Sequence, residues 1–530
     1  MIYDAELVLN TGMIFEGLTY IDDKGKVQKG IADNWYTEID EERGEYFLCF
    51  ELKDETGWDD QRIVQADDFV YAWRRVLSPA TNSPAACLLY NVKNAKEYKA
   101  GLCTADDLAI YAESATLLKI EFTGPFDLDQ FLENVASPSL VPLREDLVSP
   151  HESDWATKLD NFAANGPFTL KGLEVGKKVY FQRNTSYNRD PKSDTNEWKV
   201  VSPYQFRVDF QMSEEERLQR FEDDKLFYIG EFSKEAYEQY EKKIDNIDLM
   251  STYSYMFNTE KAPFNIKEVR QALSLALDRE EIASIIGNGA KAATGLVPYG
   301  VHDYKVGKSF RKTVGDIIDT SANIEEAKAL LKSAGVNASS YSFELRTGNN
   351  EEDVAVAKYA KEVWESLGFK VTIKSQGGMF YSNALYGGNF DVIGLDYQAL
   401  TTDAFSVLAP FAREYSGSVI TIGQDTDTTA PHISGFDNKE YNKLIDDIFN
   451  ILDNDKERAT LLHDAEKMLL DECPIVPLSF NVANSMKSSK LKGVKSSIFG
   501  YKIFTEASLS GYRDVLEMIA EEEAAAKLAK

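Results

Sequence analysis

The chain has 530 residues, which is too many for one hydrophobic core, so about two to four domains are expected. Hydrophobic residues make up 43% and aromatic residues 12% of the sequence, enough to fill those cores. The net charge of −29 argues against a nucleic-acid-binding protein, because phosphate contacts need clustered lysine and arginine.

The sequence offers neither a membrane span nor an export signal. No apolar run approaches the roughly 18 residues that a helix needs to cross a bilayer. The first residues, MIYDAELVLNTG, lack the basic region, apolar core and cleavage site of a signal peptide. Two alternatives follow: the protein is cytosolic, or the chain is a processed or trimmed form.

The cysteines and histidines do not form a recognisable metal or redox motif. No two cysteines stand in a CxxC pair, and the histidines are isolated from one another and from the cysteines, so no zinc site is predicted. Cys87 and Cys103 are close enough in sequence to form a disulfide in an oxidising compartment, and free buried thiols are the alternative. The other cysteines are Cys49 and Cys473, and the histidines are His151, His302, His432 and His463.

The first half of the chain is predicted to contain several short strands and one strongly amphipathic helix. Strands are indicated by alternating or continuous apolar residues bounded by turn residues. The helix places its large apolar residues on one face and ends where a proline follows. The predicted elements are strands at 18–21, 46–53 and 117–123, a helix that begins at Asp67 and ends at Ser78-Pro79, and a hairpin within 168–183.

Residues 253–289 are predicted to form a strand, a turn and two helices, in that order. Aromatic residues at 253, 255 and 257 alternate with small or polar residues, as in a half-buried strand, and a proline turn follows. Asn265 is predicted to cap the first helix. Asp278 is predicted to cap the second helix, with Glu281 completing a capping box, and the glycines at 287 and 289 end it.

Further along the chain, helices alternate with strands through short connections. Such alternation implies a sheet with parallel strand pairs covered by helices. The carboxyl ends of those strands should face a crevice. The predicted elements are helices within 323–334, 354–367, 441–449 and 461–469, strands at 341–345, 371–373 and 390–395, and an apolar strand, bracketed by Pro474 and Pro477, that ends at Phe480.

Six stretches resemble, in the same order, motifs of the peptide-binding branch of the peptide/nickel family of solute-binding proteins. Each motif alone is moderately specific, but together they cover almost the whole chain. They are IFEGLTYIDDKGKVQKGIADNW (14–35), GWDDQRIVQADDFVYAWRRVLSPATNSP (57–84), NGPFTLKG with QRNTSYNRDP (165–191), YMFNTEKAPFNIKEVRQALSLALDR (255–279), EEAKALLKSAG (325–335) and FDNKEYNKLIDDIFNILDNDKERATLLHDAEKMLLDECPIVPLSF (436–480).

The resemblance implies an α/β protein with the two-lobed fold of type II periplasmic binding proteins, often compared to a Venus flytrap. Two hinge crossovers join the lobes and would lie here near residues 250–257 and 480–484. An extra domain is inserted in the first lobe. The first lobe would comprise 1–44, 160–252 and 485–530, the inserted domain 45–159, and the second lobe 253–484.

The resemblance also implies a ligand site between the lobes, and this chain departs from the family there. A loop in the family carries an aromatic residue and an aspartate that pairs with the amino terminus of a peptide. Here Tyr397 matches the aromatic residue, but Leu400 stands at the acidic position, and either Asp396 or Asp403 could replace the aspartate. The first strand of the family is also missing from the start of this chain.

Two further positions differ from relatives in a way that would widen the cleft: Ala85 stands where a tyrosine is often found, and Leu385 where an arginine is seen. For Tyr253 the alternative to ligand contact is packing inside the hinge strand. For Asp403 the alternative is capping of a helix through Ala404 and Phe405. The predicted ligand-binding residues are Tyr253, Tyr397, Asp403, Leu400, Leu385 and Ala85.

The resemblance implies a protein that binds its ligand without altering it chemically. Such a protein is the extracytoplasmic solute-binding component of an ABC importer, which captures oligopeptides and delivers them to the membrane permease. A monomer without cofactor or metal is expected. Relatives are usually exported to the periplasm or the cell surface and, in Gram-positive bacteria, are tethered by a lipidated cysteine near the N-terminus, which is not present in this chain.

Two other functions are open. The same fold could carry an oligosaccharide, a haem or a nickel chelate, although His432 is the only histidine in the loop-rich part of the second lobe. A hydrolase would need two carboxyl groups that converge across a cleft. The carboxylate pairs Asp59-Asp60 and Asp67-Asp68 are adjacent in sequence, so their side chains are expected to point apart.

Overall fold

Helices and strands alternate through most of the molecule, which confirms the predicted α/β class. The computed structural model describes residues 12–517 apart from 153, 154, 157, 175, 176, 188–200, 231, 418–431, 498 and 501, together with residues 520 and 524. The motif QRNTSYNRDP and the last predicted segment, 485–530, therefore lie partly outside the described residues.

The strands vary from two to thirteen residues in length. They are β1 (Thr19–Ile21), β2 (Val27–Lys29), β3 (Ala32–Asp40), β4 (Glu45–Leu52), β5 (Ile110–Ser114), β6 (Leu117–Glu121), β7 (Phe168–Glu174), β8 (Lys178–Arg183), β9 (Gln205–Asp209), β10 (Tyr228–Ile229), β11 (Asp245–Phe257), β12 (Lys291–Ala292), β13 (Ser342–Thr347), β14 (Lys370–Ser375), β15 (Val392–Gln398), β16 (Ile475–Lys487), β17 (Leu491–Lys492), β18 (Lys495–Ser496), β19 (Lys502–Ile503) and β20 (Ser508–Leu509).

The helices within 66–77, 324–333, 351–366, 439–449 and 455–472 fall where apolar periodicity predicts them. The α-helices of the described residues have four to eighteen residues. They are α1 (Ala66–Leu77), α2 (Ala95–Lys99), α3 (Leu128–Asn134), α4 (Glu145–Val148), α5 (Glu214–Glu222), α6 (Lys234–Tyr240), α7 (Lys267–Leu275), α8 (Arg279–Ile286), α9 (Phe310–Val314), α10 (Ile324–Ser333), α11 (Glu351–Ser366), α12 (Gly378–Tyr386), α13 (Phe405–Leu408), α14 (Lys439–Phe449) and α15 (Asp455–Glu472).

The largest sheet has the strand order β10-β16-β11-β15-β13-β14, with β12 beside β16. Strand β13 is parallel to both β14 and β15, which confirms the parallel pairs predicted from the alternation of helices and strands. Because these three strands run in one direction, their carboxyl ends meet at one edge of the sheet. The connections that follow them begin at this edge.

Strands β11 and β16 run side by side through the middle of this sheet. Their pairing extends from Asp245 opposite Ser485 to Met256 opposite Ile475, with a register shift between Asp248 and Thr252. At one end β16 also pairs with β10, and at the other end β11 pairs with β15. These strands therefore join two parts of the molecule, and the shift lies beside the first predicted hinge, at 250–257.

Smaller sheets build the rest of the molecule: β3-β4-β6-β5 has four strands, β7-β8-β9 has three, and β1 pairs with β2. Strand β3 pairs with β4 along its length. The predicted boundary at 44/45 therefore falls in the turn of a hairpin. The division into lobes stays a prediction, and below we use "inserted domain" for residues 32–159 and "second lobe" for 253–484.

Two local predictions are wrong. Asn265 does not cap α7, because the residue at the cap is Ile266 and no side chain satisfies the first N–H groups. Strand β16 does not end at Phe480 but continues to Lys487, because its residues beyond Phe480 pair with β11 and then with β10. The predicted cap of α8 is confirmed, because the Asp278 side chain accepts the Glu281 N–H.

One buried ion pair lies inside the second lobe. The guanidinium of Arg311 donates to the carboxylate of Glu466, and both side chains are at most 1% exposed. The same carboxylate accepts the N–H groups of Leu296 and Val297, each at 2.8 Å. Glu466 therefore ties α15 to α9 and to the loop that precedes it.

We expect Glu466→Ala to lower the free energy of unfolding by about 3–5 kcal/mol, because it leaves a buried guanidinium without its partner. The matched control is Asp464→Ala, which removes the exposed pair with Lys467 on the same helix and should cost less than about 1 kcal/mol. Urea unfolding of the two variants measures both values. Equal losses would contradict the assignment of Glu466 as a buried anchor.

Candidate ligand-binding site

A row of polar side chains lies across three neighbouring strands of the large sheet. Asp396 on β15 is directly opposite Tyr253 on β11. Asn481 on β16 donates to the Asp396 carboxylate at 2.7 Å and to the Ser251 hydroxyl at 2.9 Å. The row is formed where the register of β11 and β16 shifts, next to the carboxyl end of β15.

Asp353 approaches the same place from the start of α11, which follows β13. Its pKa is raised to about 6, chiefly by burial and then by the negative charge of Asp396. Desolvation also raises the pKa of Asp396, although the Asp396 side chain is exposed. Both carboxylates lie at the carboxyl ends of the parallel strands β13 and β15, where the crevice is predicted.

Two tyrosines of β11 lie beside Asp353. Tyr253 is 5% exposed and Tyr255 is fully buried, and their rings lie edge to face with centroids 6.1 Å apart. Burial raises the pKa of both hydroxyls. The hydroxyl of Tyr253 lies near enough to Asp353 to lower the pKa of its carboxyl, yet neither hydroxyl makes a well-aligned hydrogen bond.

The other predicted aromatic residue is held by its own lobe. The Tyr397 hydroxyl donates to the carbonyl of Val407 at 3.0 Å, and its ring packs on Phe411 with centroids 5.4 Å apart. Leu400 and Leu385 are half-buried against the same core. Ala85 is 1% exposed in the 3-10 helix Pro84–Leu89, inside the core that includes Phe411. Their roles in ligand binding stay predictions.

Asp403 has a cationic partner that sequence reasoning missed. The Arg458 guanidinium donates to both carboxylate oxygens, at 3.1 Å and 2.5 Å. The same carboxylate accepts the Phe405 N–H at 3.2 Å, which is the capping arrangement considered from the sequence. Asp403 is therefore neutralised and capped, and of the two replacements considered for the aspartate of the family only Asp396 lacks a cationic partner among the described residues.

A hydrogen bond to an acidic side chain joins the inserted domain to the second lobe. The Thr402 hydroxyl donates to Glu133 on α3, beside the Asp403–Arg458 pair. Burial, followed by the charge of Asp403, raises the pKa of Glu133 to about 7. A cavity of about 370 Å³ borders this contact, with walls from the β1–β2 hairpin, the inserted domain and the second lobe.

Further hydrogen bonds cross between the same two parts. The Asn82 side chain donates to the carbonyl of Tyr386, and the Ser83 N–H donates to the carbonyl of Gly417, both at 3.2 Å. The ammonium of Lys96 lies over the Tyr415 ring at 4.7 Å. The two parts are therefore in contact in this structure, with no open gap at these points.

The histidines and cysteines do not form a metal centre in the part of the chain that the structure describes. His432 is 5% exposed and is held by the Ser434 hydroxyl at 2.8 Å, and burial lowers its pKa to about 3. All four cysteines are free thiols, so the disulfide considered for Cys87 and Cys103 does not form.

The adjacent carboxylates considered for hydrolysis serve structural contacts instead. Asp68 accepts hydrogen bonds from Arg62 and from the indole of Trp58. Asp60 pairs with Arg144, and Asp59 accepts the Ala164 N–H. These side chains point to different partners, as expected for neighbouring residues. Among the described residues, no helix combines the length and apolar character that a membrane crossing requires.

Sequence reasoning missed Asp353, Glu133, Arg458 and Asn481. Asp353 had a usable signal, because it follows a predicted strand at the point where the carboxyl ends of parallel strands meet. Arg458 and Glu133 had none, because they lie 55 and 269 residues away from their partners Asp403 and Thr402. Only folding reveals those pairings.

We expect Glu133→Gln to stabilise the fold relative to the unmodified protein at pH 8 and not at pH 5. The carboxyl binds its proton more tightly in the folded state, with a pKa of about 7 against 4.5. Its stabilising contribution is thus fully present below pH 4.5 and is lost as the pH rises to about 7. The difference at pH 8 should be about 1–3 kcal/mol by urea unfolding.

The control for this experiment is Asp129→Asn, which neutralises an exposed carboxylate on the same helix. Asp129→Asn should change the free energy of unfolding by the same amount at pH 5 and at pH 8. A stability difference for Glu133→Gln that is the same at pH 5 and pH 8 would contradict the account of this contact.

Comparison with known proteins identifies relatives along nearly the whole chain. The profile described as "Bacterial extracellular solute-binding proteins, family 5 Middle" matches residues 26–418. The dipeptide-binding protein DppE of Bacillus subtilis is 26% identical over 491 residues, which span 92% of this chain and 85% of DppE. YgiS of Escherichia coli, whose ligand is given provisionally as deoxycholate, is 28% identical over 482 residues, with 90% and 83% covered.

Two solved structures share the fold of this chain. The Haemophilus influenzae OppA complex with the peptide RPPGFSPFR has a TM-score of 0.77 at 22% identity, with 96% of this chain and 95% of that chain covered. The unliganded open form of the murein tripeptide-binding protein MppA has a TM-score of 0.58 at 25% identity, with 96% and 93% covered. Both likenesses extend over nearly the whole chain.

The matched profile spans well over half of the sequence, and the fold resembles that of solved solute-binding proteins over nearly the whole chain. The chain belongs to the bacterial extracellular solute-binding proteins of family 5.

Proposed function

We propose that this protein is the solute-binding component of an ABC importer, which captures an oligopeptide between its lobes and delivers it to the membrane permease. The observation that carries this proposal is an open strand edge in the crevice. Strand β15 pairs with β13 only at Val392 and Ile393, whereas its other edge pairs with β11 as far as Gln398. No described strand covers the β13 side from Leu395 to Gln398.

An open edge of this kind suits a peptide in extended conformation. The Ala399 N–H donates to the Met250 carbonyl, so residue 399 faces β11. Because alternate residues of a strand face opposite edges, the backbone groups of Asp396 face the open side. A peptide added there gains main-chain hydrogen bonds whatever its sequence, and its side chains enter the crevice.

Closure of the lobes then follows from the binding energy. A ligand that contacts both lobes binds the closed arrangement more tightly than the open one and so shifts the equilibrium towards closure. The shared strands β11 and β16 keep the lobes connected during this motion. We propose that the closed shape is the form presented to the permease, and that the protein acts as a monomer outside the cytoplasm without altering its ligand.

The cargo is tested by isothermal titration calorimetry against four ligand classes: a tri- to pentapeptide mixture, oligosaccharides, deoxycholate and nickel chelates. We expect heat of binding and a rise in the melting temperature with peptides alone. Binding of only one of the other classes would contradict the peptide assignment.

The strand edge is tested by Asp396→Pro, which removes the N–H at residue 396 and leaves the bond from residue 399 to Met250 in place. Proline also fits the extended conformation of an edge position. The matched control, Asp396→Ala, removes the same carboxylate but keeps the N–H. We expect the proline variant to bind peptide about tenfold more weakly than the control, the loss of one to two hydrogen bonds. Equal affinities of the two variants, both with unchanged melting temperature, would contradict addition at this edge.

A further inference from the structure

One lysine of the inserted domain contacts two aromatic rings of the second lobe. Lys96 lies on α2, and its ammonium group is 4.7 Å from the ring centroids of both Tyr415 and Phe449. The ammonium also donates to the Tyr415 hydroxyl at 3.2 Å. A cation is attracted to the face of an aromatic ring within about 6 Å of its centroid, so both rings stabilise this one charge.

Two carboxylates of the second lobe complete the surroundings of the ammonium group. The Tyr415 hydroxyl donates to the Asp446 carboxylate at 2.8 Å, and that carboxylate lies 3.7 Å from the ammonium. The Glu414 carboxylate lies 3.8 Å from it and is more exposed. Among the described residues, neither acid forms an ion pair with a cation of the second lobe itself. Their counter-charge within 4 Å therefore comes from the inserted domain.

The neighbouring lysines of the same segment make their contacts inside the inserted domain. Lys93 pairs with Glu121 on β6. Lys99 is buried and donates to the carbonyl of Ser78 at 3.2 Å. Of these three lysines, spaced three residues apart, Lys96 is the one whose polar contacts cross to the second lobe. The crossing is thus a property of this position rather than of a basic segment as a whole.

We propose that Tyr415, Phe449 and Asp446 form an ammonium site in the second lobe, and that Lys96 of the inserted domain occupies it when the two parts meet. The contact stabilises the closed arrangement without touching the ligand. This inference rests on the proposed function in one respect, namely that a ligand closes the lobes. When the lobes open, the ammonium leaves its site, so release of the ligand requires this contact to break.

Lys96→Met tests the contact, because methionine keeps an apolar side chain of similar reach and removes the charge. The probe is the tri- to pentapeptide mixture of the cargo experiment, and calorimetry measures the concentration of the mixture that half-saturates the protein. We expect this concentration to rise about fivefold, since the closed arrangement loses the attraction of the ammonium to two rings. The matched control is Lys93→Met, which should change it by less than about twofold, because its exposed ion pair lies within one domain.

A double-mutant cycle distinguishes the ammonium site from a general effect of charge. Asp446→Asn keeps an oxygen that can accept the Tyr415 hydroxyl, and by itself it should weaken binding about threefold. In the Lys96→Met background the same substitution should have no further effect, because no ammonium remains for the carboxylate to attract. The matched control is Asp447→Asn on the same helix, whose carboxylate pairs with Lys443 and which should leave binding unchanged in both backgrounds.

Three results would overturn this inference and leave the peptide function intact. The first is equal half-saturation of Lys96→Met and the unmodified protein. The second is additivity of Lys96→Met and Asp446→Asn in the cycle. The third is a lower melting temperature of ligand-free Lys96→Met than of ligand-free Lys93→Met, which would assign the lysine to the stability of the fold rather than to closure. Failure of the mixture to bind the unmodified protein would instead overturn the proposed function, and the contact as a determinant of capture with it.

Discussion

Everything in this molecule depends on the antiparallel pairing of β11 and β16. The two strands are thirteen residues long and cross from one lobe to the other side by side. Backbone hydrogen bonds on either side of the register shift keep each lobe rigid, while the shift itself interrupts the ladder opposite Asn481. The register shift and the row of polar side chains thus lie at the same few residues. A substitution at the predicted ligand site therefore also alters the predicted hinge.

The distribution of charge distinguishes contacts that hold the fold from contacts that await a ligand. Burying a charge is costly unless it is paired, and the second lobe follows this rule at Arg311–Glu466 and Arg458–Asp403. Asp353 and Asp396 are less buried and have no ion-pair partner among the described residues, at the edge where the carboxyl ends of parallel strands meet. Departures from full pairing at such an edge are typical of binding sites, because stability is given up there for affinity.

Sequence patterns predicted the elements of the fold well, because the apolar period of α1, α11 and α15 and the alternation of β13, α11 and β14 are local properties. The end of β16 was mispredicted because the apolar run stops at Phe480, whereas the more polar residues that follow stay in the strand by pairing with β11 and β10. The cap at Asn265 failed for a similar reason, since a capping residue is recognised by type but its position is set by the preceding turn.

The candidate site was predictable only in part. The loop after β15 could be located from its resemblance to the family, and Leu400 could be seen to lack a charge. The distinction between Asp396 and Asp403 required the structure, because Arg458 comes from a helix that begins more than fifty residues later. Ala85 was expected beside the ligand, yet the 3-10 helix that carries it packs into a core shared with the second lobe.

The central claim is that two lobes, connected by shared strands, close over a ligand that neither lobe binds tightly alone. Small-angle X-ray scattering of the protein, first stripped of co-purified ligand by partial unfolding and refolding and then saturated with peptide, tests it most directly. We predict a smaller radius of gyration with peptide and a saturated curve that fits the structure described above. An identical curve with and without a peptide that calorimetry shows to be bound would contradict the account.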